Sequence, residues 1–193
     1  MRIKIHNQLL YTNTLIEYTV PPFFDISTDL EPILETHRSI VLDLTGGFHL
    51  RDIKNMKDIR VLLVKPSYRE FLKLVKLIDF SHFSILVINT IRPMIPNNSK
   101  TKRLKSFLNK LWSIIYKHSV TVIYVNGYEK KILNSDIKYV PRFSRISNSM
   151  VSYRVLVPYF NDYSDIDSHT DTNIKTDIKA EGKHVVVQKY ESE

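Results

Sequence analysis

Four short apolar runs rich in β-branched residues limit the possible folds of this chain more than any other feature. They are Ser39–Leu44, Ile59–Val64, Phe83–Ile88 and Val120–Val125. Each run is apolar at successive positions and not at alternate ones, which is typical of strands covered on both faces in a parallel sheet. The chain is therefore expected to bury these runs together at the centre of one domain.

Helical patterns separate the strands. Apolar residues recur at three- and four-residue spacing over Leu50–Met56, Tyr68–Ile78 and Leu104–Ile115. Upstream, Thr28 and Glu31 match a capping box, which predicts a helix over Asp29–Arg38. Strands that alternate with helices predict an α/β fold, with an open and mostly parallel sheet flanked by helices.

The pattern changes after residue 128. Residues 128–150 are polar and basic without a clear period, which predicts a long loop, whereas Val151–Val157 and His184–Gln188 alternate and predict antiparallel strands at a sheet edge. Residues 161–182 contain five aspartates and almost no large apolar side chain, which predicts a flexible acidic loop. Residues 1–193 are expected to form a single domain.

Composition excludes several kinds of site. The chain has no cysteine, which excludes disulfides, cysteine zinc sites, iron–sulfur clusters and a catalytic thiol. Its four glycines do not fit a GxxxxGK[ST] phosphate loop or a complete GxGxxG fingerprint. The seven histidines lack metal-ligand spacing, and no apolar run approaches the length that spans a bilayer. We expect no metal, no cofactor and no membrane segment, in an intracellular protein.

The net charge of +8 is unevenly distributed. Residues 80–128 hold seven Lys and Arg and no Asp or Glu, and residues 129–157 hold six basic against two acidic residues. Residues 158–193 hold four basic against eight acidic residues. A basic middle followed by an acidic end predicts a surface that binds a polyanion, although charge blocks of this kind also occur as solvated faces without a ligand.

Three strand ends resemble those of the RecA-type recombinase core. The run Asp43-Leu44-Thr45-Gly46-Gly47-Phe48 is similar to the acidic, Thr-Glu-Gly and aromatic turn of that family. Asn89-Thr90 stands where the family has its Walker B aspartate and a hydroxyl residue, and Asn126-Gly127 stands where it has Asn-Gln. The resemblance covers residues 39–157 and implies a RecA-like domain, most similar to small divergent recombinase paralogues of fungi such as subunits of the Shu complex.

The residues that differ from the family all remove ATPase chemistry. The phosphate loop is replaced by Val20-Pro21-Pro22-Phe23-Phe24, whose prolines lack N–H donors. The magnesium carboxylate position reads Asn89, the water-activating position Thr45 and the phosphate-sensing position Gly127. Asn lacks the charge that Mg²⁺ prefers, and Thr does not accept a proton near neutral pH. The resemblance thus implies a protein that is not an enzyme.

Basic residues cluster in the two stretches that correspond to the family's DNA-binding loops. The candidate DNA-binding residues are Arg92, Lys100, Lys102, Arg103, Lys105, Lys130, Lys131, Arg142 and Arg145. Aromatic Tyr128, Tyr139 and Phe143 are interleaved with the second group, as a surface that neutralises phosphates and stacks bases requires.

The resemblance therefore predicts a nuclear, non-catalytic subunit of a complex that assists homologous recombination. Its expected partners are DNA, a paralogous RecA-like subunit and the recombinase itself. Two alternatives stay open at this point. One is a RecA-like scaffold in a tRNA-modifying assembly, and the other is an S-adenosylmethionine-dependent methyltransferase that uses Gly46-Gly47 after the strand ending at Leu44.

Overall fold

The computed structural model describes residues 2–6, 8–48, 59–64, 67–95, 101–133, 136–157, 175–180 and 183–190. The strands are β1 (Arg2–Ile5), β2 (Gln8–Tyr11), β3 (Leu15–Val20), β4 (Ser39–Asp43), β5 (Ile59–Leu63), β6 (Ile85–Asn89), β7 (Thr121–Leu133), β8 (Asp136–Pro141), β9 (Tyr153–Leu156), β10 (Lys175–Ala180) and β11 (Lys183–Lys189). The helices are α1 (Ile26–Thr36), α2 (Tyr68–Leu77), α3 (Thr101–His118) and α4 (Ser144–Ser147).

Nine strands form one sheet in the order β10-β11-β9-β3-β7-β6-β4-β5, with β8 paired to the extended end of β7. The six strands from β9 to β5 in this order run parallel. Strands β8, β10 and β11 pair antiparallel with their neighbours. The predicted α/β fold, with a mostly parallel sheet and antiparallel strands near its C-terminal edge, is confirmed.

Apolar side chains cover both faces of the sheet. One face packs against α1 and the β1–β2 hairpin through residues such as Ile16, Val41 and Leu30. The other face packs against α2 and α3 through residues such as Leu42, Phe71 and Phe107. Because neighbouring residues of a strand point to opposite faces, a strand covered by helices on both sides must be apolar throughout, which explains the runs in β4, β6 and the first part of β7. The expectation that Ile59–Val64 is covered on both faces is wrong, because β5 is the edge strand and its Arg60 and Leu63 are exposed.

Helix α1 begins earlier than the sequence indicates. It spans Ile26–Thr36, and its N-cap is Asp25, whose Oδ1 accepts a hydrogen bond from Ser27 N at 3.0 Å. The predicted capping box at Thr28 and Glu31 is therefore wrong, because Asp25 already satisfies the first turn. The short helix predicted over Leu50–Met56 lies outside the described residues.

Residues 128–150 do not form the predicted long loop. β7 continues to Leu133 and returns as β8 in an antiparallel hairpin, in which Tyr128 is paired with Pro141, and α4 follows. A two-stranded ribbon outside the core needs no alternating apolar pattern over its whole length, so the period is weak.

The C-terminal strands differ from the prediction in two respects. β9, within the predicted Val151–Val157, pairs antiparallel with β11 but parallel with β3. Residues 175–180, which the sequence places in a flexible acidic loop over 161–182, form β10 and pair with β11. The rest of that predicted loop lies outside the described residues.

Candidate nucleic-acid interface and carboxylate site

The carboxyl ends of parallel strands β3, β4, β6 and β7 meet at one edge of the sheet. In open α/β sheets this edge is where ligands bind. It carries the strand-end motifs that the sequence singles out, with Asp43 as the last residue of β4, Asn89 as the last residue of β6 and Gly127 within β7.

The Asp43 carboxylate is saturated by donors from its own chain. Oδ1 accepts hydrogen bonds from Thr45 N at 3.0 Å, Thr45 Oγ1 at 3.1 Å and Asn89 Nδ2 at 3.0 Å. Oδ2 accepts from Phe48 N at 3.0 Å. Gly46 completes the turn with a φ of 73°, a conformation that residues with a Cβ rarely adopt. These four hydrogen bonds hold the carboxylate within the turn that follows β4.

Hydrogen bonding also sets the charge of Asp43. Burial by itself would raise the pKa of this carboxyl, but the bonds from Thr45, Phe48 and Asn89 outweigh burial and hold its pKa below the ordinary range. Asp43 is therefore ionised at neutral pH, and its charge stabilises a turn. It is poorly suited to act as a proton acceptor.

The resemblance to the RecA family predicts that a phosphate loop is replaced at the turn after β3. Pro21 and Pro22 contribute no N–H group, and one N–H group in the first turn of α1, that of Ser27, is bound by the Asp25 carboxylate. A negative cap at this helix start repels a phosphate. The two prolines and the Asp25 charge therefore make this turn a poor match for a triphosphate.

The strand end at Asn126 and Gly127 serves the β7–β8 hairpin. Asn126 Nδ2 donates to the Arg142 carbonyl at 2.8 Å, and Arg142 N donates to the Gly127 carbonyl at 2.9 Å. A Cβ added at Gly127 would meet nothing within 4 Å. The position therefore has room for a side chain, and packing does not require a glycine there.

Several predicted DNA-binding residues are exposed near this edge. Arg92 lies in the turn after β6, which is tied to β7 by a hydrogen bond from Ile91 N to Val125 O at 2.9 Å. Lys102, Arg103 and Lys105 are exposed in the first turns of α3. This helix start lies at the carboxyl edge because α3 connects the end of β6 to the beginning of β7. Its first turn contains no acidic residue. Lys100 lies outside the described residues.

The β7–β8 hairpin carries the second basic group. Lys130 is exposed and pairs in register with Tyr139, and the next pair on the same face is Ile132 with Ile137. Ile132 and Ile137 are 71% and 54% exposed. Lys131, on the other face, forms an ion pair with Glu129 at 3.2 Å. The exposed face therefore combines a cation, an aromatic ring and two apolar side chains.

Arg142 is not the exposed loop residue that the sequence predicts. It follows β8 directly, and its side chain is buried, with only 2% of the residue exposed. Its guanidinium lies 4.8 Å from the centre of the Phe143 ring, and Nη2 donates to the Ile95 carbonyl at 3.1 Å. It therefore cannot contact DNA in this conformation, because the turn after β6 and the hairpin base enclose it. Arg145, on α4, is exposed.

The interleaved aromatic residues also differ in their surroundings. Tyr128 is partly buried, and its hydroxyl donates to the Val157 carbonyl at 2.7 Å. Phe143 is half-buried beside Arg142. Tyr139 is 38% exposed, so of these three it presents its ring most openly to a base.

Sequence reasoning missed a row of polar residues that crosses four strands. Gln188, Arg154, Glu17 and Tyr124 lie in register on β11, β9, β3 and β7. Arg154 Nη2 and Glu17 Oε2 form an ion pair at 2.7 Å, and Tyr124 OH donates to Glu17 at 2.9 Å. The signal was a single acidic residue, Glu17, inside the mostly apolar run Leu15–Val20. That run also contains the central strand β3, which the sequence analysis did not identify.

Within the described part of the chain, no three His, Cys, Asp or Glu side chains are grouped as a metal ion would require. Among the same residues, no helix has the length and apolar character needed to cross a bilayer.

Comparison with solved structures shows a likeness of fold. No family model matches the chain, and no curated protein matches it. Among solved structures, the chain is similar to the crystal structure of the RadB recombinase, with a TM-score of 0.52 and 19% sequence identity. The match covers 75% of this chain and 74% of that one. At this identity the likeness concerns the fold, and we conclude that the chain folds as a RecA-like α/β domain.

Proposed function

We propose that this protein is a non-catalytic, nucleic-acid-binding subunit of a nuclear complex that assists homologous recombination. The observation that carries the proposal is the placement of exposed basic residues at the carboxyl edge of the sheet. Arg92, the start of α3 and the β7–β8 hairpin all belong to the connections that follow β6 and β7, two adjacent parallel strands. A recombination role is what the RecA-like fold suggests for such a surface.

The exposed residues have the chemistry that a DNA strand requires. Lys and Arg neutralise phosphates and release counterions, and Tyr139 with Ile132 and Ile137 offers an apolar face for unstacked bases. Tyr139, Ile132 and Ile137 share one hairpin face with Lys130. Because such a face offers contacts to both phosphates and unstacked bases, we favour single-stranded DNA or a single-stranded junction as the ligand.

The first experiment measures binding of labelled single-stranded DNA by fluorescence anisotropy as a function of salt. Replacing Arg92, Lys102 and Arg103 together by Gln should weaken binding for all sequences. The slope of log affinity against log salt should fall by about 2 to 3, because each lost phosphate contact removes about 0.7 to 0.9.

The matched control replaces Lys76 and Lys117 by Gln. Both are exposed, and they lie in the last turns of α2 and α3, at the opposite edge of the sheet. We expect this variant to bind DNA as the unmodified protein does. If both variants lost the same amount of DNA affinity, the basic stretch would be only a solvated face. If the protein bound a structured RNA more tightly than DNA of equal length, the tRNA-related alternative would be favoured.

We also predict that the protein does not use ATP. Both oxygens of Asp43 accept hydrogen bonds, Pro21 and Pro22 in the turn after β3 have no N–H, and the Asp25 carboxylate caps the start of α1. Millimolar Mg-ATP should therefore leave the melting temperature unchanged. A rise of several degrees would contradict the prediction, since a ligand at 100 times its Kd stabilises the folded state by about 2.7 kcal/mol.

A paralogous RecA-like subunit is the partner that we propose. Phe23 is fully exposed in the turn after β3 and has a φ of 63°, a strained conformation for an aromatic residue. An open cavity of about 600 Å³ beside β5 and α2 is lined by Ile40, Leu62 and Leu74, with Arg60 among its charged residues. The cavity is lined by residues of β4, β5 and α2 and by none of the candidate DNA-binding residues, so a protein partner bound there and DNA would not compete for it.

A further inference from the structure

The outer face of α3 carries a stripe of side chains, none of which is fully buried. Residues that follow one another at three- and four-residue spacing lie on one face of a helix. The α3 stripe consists of Lys102, Lys105, Asn109, Trp112 and Tyr116. At 1.5 Å per residue it extends over about 21 Å. It therefore leads from the start of α3, at the carboxyl edge of the sheet, along most of the helix.

Two aromatic rings end the α3 stripe. Trp112 and Tyr116 are stacked, with ring centres 5.4 Å apart and ring planes inclined by 25°. Trp112 is half-buried and held in place, because its Nε1 donates a hydrogen bond to the Met150 carbonyl at 2.7 Å. Tyr116 is 79% exposed, so most of its ring is open to solvent. A ring that is supported by a fixed neighbour and open on its other side suits a planar ligand.

The charge of α3 indicates what kind of planar ligand this is. The helix contains four Lys and one Arg and no Asp or Glu, and residues 80–128 as a whole contain no acidic residue. Lys102 and Lys105 are exposed on the same stripe as the rings. A polyanion with flat rings, which is a single-stranded nucleic acid, matches both features. An apolar protein surface would match the rings and leave the lysines without a purpose.

We propose that the α3 stripe binds single-stranded DNA, with one base stacked on Tyr116 and phosphates neutralised by Lys102 and Lys105. The inference rests on the proposed function and extends the path of its ligand from the carboxyl edge along the helix. Because every base has a flat face, stacking on Tyr116 adds affinity without sequence preference. Lys117, the residue after Tyr116, lies about 100° around the helix and outside the stripe, so its replacement remains a control.

The experiment titrates the full chain with a labelled single-stranded oligonucleotide of mixed sequence. Trp112 is the only tryptophan, so its fluorescence reports on this part of α3 alone. Binding should alter the Trp112 fluorescence, with the same midpoint as the anisotropy of the label. Tyr116→Ala should weaken binding about fivefold or more, which is the effect of losing one stacked base. Tyr116→Phe keeps the ring and should bind as the unmodified protein does.

Salt dependence separates stacking from charge. Tyr116→Ala removes no phosphate contact, so the slope of log affinity against log salt should not change, whereas Lys105→Gln should lower it by about 0.7. The matched control is Tyr11→Ala. Tyr11 is 53% exposed on β2 beside Arg2, whose guanidinium lies 5.2 Å from the ring centre, and the β1–β2 hairpin covers the other face of the sheet. This variant should bind DNA normally.

Four results would overturn the inference. The first is unchanged binding by Tyr116→Ala while the Arg92, Lys102 and Arg103 variant still loses affinity, which leaves the proposed function intact. The second is an equal loss of affinity in Tyr11→Ala. The third is a loss of affinity in Tyr116→Ala together with a fall of several degrees in melting temperature, which assigns the ring a structural role. The last is no binding of the oligonucleotide by the unmodified protein, which overturns the proposed function as well.

Discussion

Arg154→Met is expected to lower the free energy of unfolding by about 3 to 5 kcal/mol, because it leaves the carboxylate of Glu17 buried without its cation. Glu17 is fully buried, and its ion pair with Arg154 measures 2.7 Å. Arg154 also donates hydrogen bonds to Ser147 and Asn148, so the substitution disconnects α4 from the sheet as well. The measurement is equilibrium unfolding in urea at neutral pH.

Two variants control this measurement. Lys73→Met breaks an ion pair of similar length, 2.8 Å to Glu70, whose side chains are about half exposed. It should change stability by no more than about 0.5 kcal/mol. The double variant Glu17→Met/Arg154→Met removes both charges and should recover part of the loss. Equal effects of Arg154→Met and Lys73→Met would refute the assignment of the pair to the core.

The same pair gives the protein an acid-sensitive stability. Burial raises the pKa of Glu17, but the Arg154 charge and hydrogen bonds from Arg154, Asn126 and Tyr124 more than offset it, so the pKa lies below the usual 4.5. A lowered folded-state pKa contributes stability that is complete above 4.5 and is lost as the pH falls through the folded-state value. The double variant should therefore lose less stability on acidification than the unmodified protein.

Asp43→Ala is expected to cost about 3 kcal/mol, because it removes one acceptor group from four hydrogen bonds. The Phe48 N–H and the Asn89 side chain are buried and would lose their partner, and each unsatisfied buried donor costs about 1 to 3 kcal/mol. The comparison is Asp25→Ala, which removes an exposed helix cap with one backbone bond and should cost about 1 kcal/mol.

This second prediction separates a structural carboxylate from a catalytic one. A catalytic group is commonly held at some cost to stability, so that its removal is neutral or stabilising. If Asp43→Ala melted at or above the temperature of the unmodified protein, the turn after β4 would be a strained site, and our interpretation of Asp43 as a fully bonded turn residue would be wrong.

Sequence patterns predicted the strands and turns that depend on residue type and on neighbouring residues in the chain. The runs around Val41, Val87 and Ile123 became parallel strands because a strand covered on both faces must be apolar at each position, whereas the run around Val61 became the partly exposed edge strand β5. That Pro21 and Pro22 have no N–H group to offer a ligand could also be recognised in the sequence, since this follows from residue type wherever they lie. The start of α1 was misplaced because Asp25 and Thr28 are both good caps, and packing chose between them.

The sequence predicts the positive charge of the candidate site but not which of its basic residues are exposed. Arg92, Lys102 and Arg142 look alike in the sequence, and the first two are exposed while the third is enclosed by the turn after β6. The sequence predicts a loop where the basic hairpin forms, because the hairpin strands pair with each other outside the core and need no alternating apolar pattern. Burial depends on which segments come together across the sheet, and charge patterning carries no information about that.

By itself the sequence determined the α/β class, the absence of cysteine chemistry and the basic character of the middle of the chain, all of which follow from residue type and short-range periodicity. Only the tertiary structure decided that Glu17 meets Arg154, 137 positions later, since β3 pairs with β9 in one register. It also decided that Asp43 is saturated and that Arg142 is enclosed. Such contacts depend on strand order, which arises from packing across the whole sheet and not from any local stretch.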